Sequence, residues 1–364
     1  MRKFLFFFVG LLIVNLNQIN AQTTIMSGDF SNPTTWGGVP PTGSGTVIIN
    51  HTVNLDIDYA HSSGSITIGA SGALTSNNPM RFIAINYPSG NASLTVNGTL
   101  NVSRIALFGG DIVNNGSVVA DSLLANAIIT NNVNANINAA QFMIAADGKL
   151  TNKGQIDAIN LLNADTVINY GNINSNDFCN SKTFLNENNA VINIAHDFSN
   201  VDTITSPAIL TNNGQINVGN DWHNGSTIDG SGNWCVVNNT WNNGIMNGDF
   251  DFCDQSGGNI DLQEGTVAST ITYCTSPCSV GVSELNISIN IYPNPCYNKL
   301  YIKNGESFSN ALILIYNSFG QIVYKNENLS GSSLSLDVKA LSPGLYYISI
   351  IDETAVFKSS FIKD

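Results

Sequence analysis

Aromatic and acidic side chains gather between residues 222 and 254, and they are the strongest candidates for a binding site in this sequence. Tryptophan rings in a polar, asparagine-rich surrounding can stack on sugar rings through their flat faces. Closely spaced carboxylates can ligate calcium. The stretch therefore predicts a ligand-binding site at Trp222, Trp234 and Trp241 and a metal site at Asp249, Asp251 and Asp254.

Both predicted sites have a purely structural alternative. Tryptophan buries most of its surface in folded proteins, so the three rings would also suit the filling and capping of the last turns of a fold. The acidic run lacks the complete loop pattern of a calcium-binding hand, and carboxylates in a solvated turn would give the same sequence. For the tryptophans, the two interpretations differ in whether the rings are exposed.

Residues for catalysis are sparse in the rest of the chain. Between residues 22 and 282 the only glutamates are Glu187 and Glu264, and the only arginines are Arg81 and Arg104. A glycosidase needs two placed carboxylates, and neither a Gly-x-Ser-x-Gly motif nor a metal-binding histidine pair occurs. We therefore expect no enzymatic activity and no cofactor, although residues distant in sequence can converge in a fold.

The chain has six cysteines, which in an exported protein predict disulfides. Cys235 and Cys253 lie 18 residues apart, close to one period of the repeat described below, and we predict that they pair. Cys274 and Cys278 could then close a small loop at the end of the rod, whereas in the competing arrangement Cys253 pairs with Cys274. Two cysteines have no obvious partner, Cys179 and Cys296.

A repeated phrase over residues 94–276 predicts the elements that position these side chains. The phrase is an aliphatic residue or threonine, then asparagine, usually glycine, and then an aliphatic residue. Successive asparagines lie 17, 17, 21, 17, 17 and 26 residues apart, which would bring each to the same corner of successive coils. The asparagines are Asn97, Asn114, Asn131, Asn152, Asn169, Asn186 and Asn212, and aliphatic residues follow four of them by four positions at Val118, Ile156, Ile173 and Ile216.

This repeat predicts an all-β fold, a right-handed parallel β-helix whose coils stack about 4.8 Å apart. Asparagine and glycine tolerate left-handed corners, and stacked asparagines can hydrogen-bond from coil to coil. A β-sandwich with asparagine-rich loops is the alternative, because its strands are equally short and evenly spaced. We expect these strand residues to face the core: Val167, Ile168, Ile192, Ile194, Ile209 and Leu210.

The beginning of the chain predicts export. Residues 1–21 are predicted to form a secretory signal peptide, with Arg2 and Lys3 before an apolar run and an expected cleavage site after Ala21. The run is short for a membrane span, and no later apolar run reaches that length. The mature chain is therefore predicted to have no transmembrane segment.

Residues 22–93 predict an N-terminal capping region and the first coils. In the stretch 27–41, Phe30 and Trp36 would cover the open apolar end of a solenoid. This stretch resembles the opening of secreted adhesin-like β-helix proteins of the Bacteroidetes and, more loosely, the eight-glycine domain of extracellular surfaces.

Composition changes after a predicted linker at residues 277–286. Residues 287–364 contain alternating strands broken by turn signals every 8 to 12 residues, which predicts a small Ig-like β-sandwich. Its motifs are Tyr-Pro-Asn-Pro, Tyr-Asn-x-x-Gly-Gln, Leu-x-Pro-Gly-Leu-Tyr-Tyr and a final Phe-Ile-Lys. Their main residues are Tyr292, Pro293, Asn294, Pro295, Gly320, Gln321, Gly344 and Tyr346.

These motifs closely resemble the type A C-terminal sorting domain of type IX secretion. The resemblance implies a Bacteroidetes source, the type IX secretion machinery as a partner, and an extracellular or outer cell-surface location. It also implies release of the cargo or its attachment to surface lipopolysaccharide.

The formal net charge is −13, or −15 without Arg2 and Lys3, and only 11% of residues are charged. This composition argues against nucleic acid as a partner, because phosphates are bound by clustered lysine and arginine. We expect a structural or adhesive surface protein. The alternative is a carbohydrate-binding protein that uses the three tryptophans to bind surface glycans, and a polysaccharide-degrading enzyme is a less favoured third interpretation.

Overall fold

The computed structural model describes residues 21–76, 78–203, 206–276, 278, 290–317, 321–351 and 356–364. The chain divides into two units, residues 1–282 and residues 283–364. The predicted signal peptide lies outside the described residues apart from Ala21, and so does the predicted linker apart from Cys278. Within the described ranges, no helix combines the length and the apolar character needed to cross a membrane.

The first unit is a parallel β-solenoid of about 12 coils over residues 44–273, which confirms the predicted repeat. Each strand pairs in parallel with the strand one coil later, and Asn152, for example, lies beside Asn131 and Asn169. The coil has three faces, which we number in chain order. The first face is a 13-stranded sheet with the strands Gln22–Thr23, Ser44–Ile49, Ser63–Ile68, Ser93–Val96, Asp111–Asn114, Ile128–Asn131, Lys149–Asn152, Thr166–Asn169, Thr183–Asn186, Ile209–Asn212, Thr227–Gly230, Ile245–Met246 and Thr266–Val267.

The second and third faces share four long strands that turn the corner between them: Ser117–Ala125, Asn136–Ile144, Gln155–Asn163 and Asn172–Asn180. The other strands of the second face are Gly28–Asp29, Thr52–Asn54, Ala73–Thr75, Thr99–Asn101, Val191–Ile194, Gln215–Val218, Asn233–Val236, Asp251–Asp254 and Thr272–Tyr273. The other strands of the third face are Tyr59–His61, Phe82–Ile85, Arg104–Leu107, Phe198–Asn200, Trp222–Asn224, Thr240–Asn242 and Leu262–Gln263.

Side chains alternate between core and solvent along these strands, as the pleat requires. Val167 is fully buried, whereas its neighbour Ile168 is half-buried on the outer surface. The prediction that Ile168 faces the core is therefore wrong by one position, and so is the prediction for the exposed Ile209. The other predicted core residues are buried: Val118, Ile156, Ile173, Ile192, Ile194, Leu210 and Ile216.

A buried row of asparagine side chains runs along the end of the first face. Each amide nitrogen donates to the carbonyl oxygen of the asparagine one coil later, at 2.7 or 2.8 Å. Asn97 is wrongly assigned to this row, because Val96 occupies the equivalent position and Asn97 bonds instead with Asn115 in an exposed row. The buried row consists of Asn114, Asn131, Asn152, Asn169, Asn186 and Asn212.

A second buried asparagine row at the end of the third face was not predicted. Its members are bonded in the same way at 2.7 or 2.8 Å, and the last asparagine bonds with Gln263 at 3.1 Å. These amides satisfy backbone groups at the corners that would otherwise be buried without partners. The row consists of Asn163, Asn180, Asn200, Asn224 and Asn242.

The N-terminal end of the core is closed by Phe30 and Trp36, as predicted. Both rings are buried and meet edge to face, with centroids 5.2 Å apart. The Trp36 indole donates to the Phe30 carbonyl oxygen at 2.7 Å. A short helix, Pro33–Trp36, positions the indole, and it begins after the N-cap Asn32.

The second unit is a separate five-stranded antiparallel sheet, which confirms a small all-β domain. Its strands are Asn290–Tyr292, Lys299–Tyr316, Ile322–Asp337, Gly344–Ile351 and Val356–Lys363. Register shifts interrupt the pairing of the two long strands. Its buried core includes Leu300, Ile302, Ile313, Ile315, Leu336, Ile348, Ile350 and Phe361.

Candidate functional sites at the end of the solenoid and in the sorting unit

Two of the three candidate tryptophans lie inside the core. Trp222 is 1% exposed and Trp234 is 0% exposed, and their ring centroids are 6.1 Å apart. Phe198 and Phe252 pack against them in the same aromatic cluster. The prediction that Trp222 and Trp234 bind a ligand is therefore wrong, because both occupy inward strand positions and fill the last coils.

Trp241 is the only member of the trio that reaches solvent, with 39% of its surface exposed. Its ring stacks on the His223 imidazole of the preceding coil, with centroids 4.3 Å apart and planes 16° apart. The indole nitrogen donates to a Glu264 carboxylate oxygen at 3.3 Å, and His223 contacts the Asn243 side chain at 3.0 Å. Of the predicted binding site, only the exposed Trp241 ring remains, stacked on His223 and bordered by the polar side chains of Glu264 and Asn243.

The three candidate aspartates do not converge on a cation. Asp249 is exposed and lies outside the strand Asp251–Asp254, so the three aspartates do not share one strand. Asp254 is buried and accepts from the Thr240 hydroxyl at 2.6 Å and from Ser256. In the described part of the chain, no group of three or more His, Cys, Asp or Glu side chains could hold a metal ion. The predicted metal site is wrong, because Asp251 and Asp254 accept hydrogen bonds within the fold and Asp249 does not form a ligand group with them.

Asp251 fixes the segment that follows the last coil. Its carboxylate accepts from the backbone N–H groups of Thr275 and Ser276 at 3.0 and 2.7 Å, and from the Thr272 and Thr275 hydroxyls at 2.8 and 2.9 Å. Burial raises the pKa of Asp251, but these hydrogen bonds outweigh burial and hold the pKa below its ordinary value. The ionised carboxylate therefore stabilises this segment.

Two disulfides tie the same segment to the second face. Cys253 bonds with Cys274, and Cys235 bonds with Cys278, with Cα–Cα distances of 4.4 and 5.7 Å. We call residues 274–276 and 278 the strap, because they run back from the last coil across the two preceding coils.

The predicted Cys235–Cys253 disulfide is wrong, although the two residues are neighbours in adjacent strands as predicted. Cys274 lies one coil beyond Cys253 and forms a disulfide with it, and the strap brings Cys278 next to Cys235. The suggested loop between Cys274 and Cys278 is wrong for the same reason.

Two cysteines are free among the described residues, as predicted. Cys179 is half-buried on the third face, and Cys296 is buried in the second unit. Burial raises the pKa of both thiols. Neither thiol is therefore activated as a nucleophile at neutral pH.

A buried pair of titratable side chains inside the first coils was missed by sequence reasoning. The Tyr59 hydroxyl and His61 Nδ1 lie 2.8 Å apart, and both side chains are buried. Burial raises the pKa of Tyr59 and lowers the pKa of His61. The pair is neutral and enclosed by the core, so it has no access to a substrate.

In the second unit, the Tyr-Pro-Asn-Pro opening holds the C-terminal strand. Asn294 Oδ1 accepts from the Ile362 N–H at 2.8 Å, and the Cys296 N–H donates to the Ile362 carbonyl oxygen at 2.8 Å. Cys296 and Lys363 also form a parallel bridge. The first motif, Tyr-Pro-Asn-Pro, and the last motif, Phe-Ile-Lys, are therefore hydrogen-bonded to each other.

The remaining sorting-motif residues support turns and the core. Tyr346 is buried, stacks on Phe361 at 5.6 Å and donates to the Ser342 carbonyl oxygen at 2.8 Å. The Gln321 N–H donates to the Asn317 side chain at 3.0 Å across the hairpin. Tyr292 is exposed, Pro293, Pro295 and Gly344 lie in exposed positions, and Gly320 lies outside the described residues.

Comparison with known proteins agrees with this geometry. Residues 290–364 match a protein family described as the secretion system C-terminal sorting domain. No curated protein matches the chain. The Asn294 contact, the Tyr346–Phe361 stack and the match cover the same residues, and they identify residues 290–364 as a type IX secretion sorting domain that directs the chain to the cell surface or the extracellular space.

Proposed function

We propose that the solenoid is an adhesive, non-enzymatic rod of a Bacteroidetes bacterium, and that its first face binds a polymer with repeating units on a cell surface. One observation carries this proposal. Outward side chains of the first face form a straight row in which each residue is paired with its equivalent one coil later. We call this the threonine row: Thr23, Ile48, Thr67, Thr95, Val113, Thr130, Thr151, Ile168, Leu185, Thr211 and Asp229.

The threonine row suits a repeating partner for three physical reasons. Its members recur at the coil spacing of about 4.8 Å, and nearly all are uncharged. β-Branched side chains have restricted rotamers, so little side-chain entropy is lost when they bind. A partner with many equivalent groups can therefore gain affinity from repeated weak contacts.

The proposal is tested by the binding of the full chain to immobilised surface polysaccharides and lipopolysaccharide. The double variant Thr130→Lys/Thr151→Lys places two charges in the row, and we expect at least a tenfold loss of binding (about 1.4 kcal/mol). The control Asn138→Lys/Asn172→Lys adds the same charge on the second face and should bind normally. Equal binding by both variants, or no saturable binding to any polymer, would refute an adhesive first face.

Glycan binding at Trp241 is a second candidate, and the exposed stack on His223 favours it. An aromatic platform of this kind contributes through stacking, which phenylalanine retains and alanine lacks. On a glycan array, Trp241→Ala should lose a saturable signal that Trp241→Phe keeps. A signal unchanged in Trp241→Ala would place glycan binding elsewhere.

A further inference from the structure

The outer surface of the third face carries a row of mainly apolar side chains. Each member is paired in parallel register with the member one coil later. Three of them are well exposed, with Met143, Trp241 and Leu262 at 36%, 39% and 48%. We call these residues the outer row: Ala106, Leu124, Met143, Leu162, Cys179, Ser199, His223, Trp241 and Leu262.

The outer row has the composition of a protein interface rather than of a solvated sheet. Parallel sheets are normally covered on both faces, and contiguous exposed apolar surface marks interaction sites. Polar residues lie two positions earlier in the same strands and would form a rim beside the apolar residues. These rim residues are Ser122, Gln141, Asn160 and Asp177.

We infer that the partner is a second copy of this chain, with the two solenoids antiparallel and the third faces in contact. A second solenoid has the same coil spacing, so it can match the row along its whole length. Cys179 is the fifth of the nine members, and a two-fold axis at Cys179 places a leucine opposite Ala106 and another opposite Ser199. The opposed pairs are Ala106 with Leu262, Leu124 with Trp241, Met143 with His223, and Leu162 with Ser199.

A parallel arrangement of the two copies fills the interface less well. It would set the two Trp241 rings against each other and would place Ser199 opposite Ser199 and Ala106 opposite Ala106, which leaves the interface underfilled at those two coils. Both arrangements are isologous, as closed dimers require, so the packing along the outer row decides between them.

The size of the face suits a specific but modest interface. Eight coil steps of about 4.8 Å and a strand width of about 13 Å give roughly 500 Å² on each copy. The total of about 1,000 Å² lies at the lower limit for a specific protein–protein interface. Cys179, the free thiol of the described solenoid, would lie next to its own copy at the centre.

The pairing has two consequences that do not depend on the adhesive function. Asp177 lies beside the centre of the row, so two like charges face each other across the axis and weaken the dimer. Pairing also covers Trp241, so dimer formation and glycan binding at Trp241 exclude each other. The threonine row lies on a different face and stays accessible in the dimer.

Sedimentation equilibrium of the full chain tests the proposal, and we expect a reversible dimer. Leu162→Asp should weaken dimerisation by about 100-fold, because each copy would bury a carboxylate against the partner. Asn160→Asp adds the same charge at the rim of the same strand and should have a much smaller effect. Asp177→Asn should strengthen the dimer. A chain that stays monomeric at its highest soluble concentration, or a Leu162→Asp dimer of unchanged affinity, would overturn the proposal.

Cross-linking determines the orientation independently of affinity. On a Cys179→Ser background, a mixture of Ala106→Cys and Leu262→Cys chains should give mixed dimers with a short bismaleimide. Neither variant alone should cross-link efficiently, because its two equivalent positions would lie eight coil steps apart, about 38 Å. Cross-linking of Ala106→Cys chains to each other would refute the antiparallel arrangement. Circular dichroism of each variant would separate a loss of dimer from a loss of folding.

Discussion

Replacement of Asn169 by alanine tests whether the buried asparagine row holds the coils together. The Asn169 side chain is fully buried. Its Nδ2 donates to Asn186 Oδ1 at 2.8 Å and to the Gly171 carbonyl oxygen at 3.1 Å. Its Oδ1 accepts from Asn152 Nδ2 at 2.8 Å and from the Gly171 N–H at 3.2 Å.

The expected cost follows from the groups that lose a partner. Asn152 Nδ2 keeps its bonds to the carbonyl oxygens of Asn172 and Gly154, at 3.1 and 3.3 Å. Asn186 Oδ1 and the Gly171 N–H lose the bonds that Asn169 provides, and each buried group without a partner costs about 1–3 kcal/mol. We therefore expect Asn169→Ala to lower the free energy of unfolding of the solenoid by about 4 kcal/mol.

Urea unfolding followed by tryptophan fluorescence measures this cost. All four tryptophans lie in the first unit, so the signal reports on the solenoid and not on the sorting unit. Asn132→Ala is the matched control, because Asn132 bonds to Asn115 in the exposed row at 2.6 Å and its loss should cost no more than about 0.5 kcal/mol. A cost below about 1 kcal/mol for Asn169→Ala, or equal costs for the two variants, would refute the stabilising role of the buried row.

Three further predictions concern register, pH and export. Val167→Asp should cost about 4 kcal/mol or more in the same unfolding assay while Ile168→Asp costs about 1 kcal/mol or less, and similar costs would contradict the assigned faces. The folded-state pKa of Asp251 is lowered, so its stabilising contribution is fully present above the unfolded value of about 3.9 and is lost as the pH falls through the folded-state pKa. Melting temperatures of the native chain and Asp251→Asn should therefore differ at neutral pH and converge in acid, and a constant difference would exclude this linkage. A reporter fused to residues 290–364 should be exported by a host with type IX secretion. The Asn294→Ala variant of this fusion should be retained in the cell, because it lacks the side chain that holds the C-terminal strand. The control variant Asn298→Ala, at an exposed asparagine, should be exported normally.

The coil repeat was predictable because the residues of a solenoid's corners recur in the sequence once per coil. Each coil must return to the same corner, and the corner must satisfy buried backbone groups, so Asn152 and Asn169 recur at that spacing. The sorting unit was predictable for a different reason: its turns and clamps depend on short local motifs such as the one around Asn294.

The length of the repeat was easier to predict than which residues of each strand face the core. Residues next to each other in a strand point to opposite sides, so an error of one residue exchanges core and solvent. Val167 and Ile168 are equally apolar, and Asn114 and Asn115 are identical, so composition does not say which member of each pair faces inward. Contacts with the next coil decide it.

The end of the solenoid depended most on tertiary structure. Cys235 and Cys274 each lie about one coil from Cys253, so spacing allowed either neighbour to pair with Cys253, and only the returning strap brought Cys278 to Cys235. The role of the aromatic residues also depended on tertiary structure, because the sequence did not show that Trp234 faces the core. Sequence by itself determined that coils would stack and that the chain would be exported. The tertiary structure decided which side chains the stack encloses and which it presents, because burial depends on the three-dimensional neighbours of a residue and not on its type.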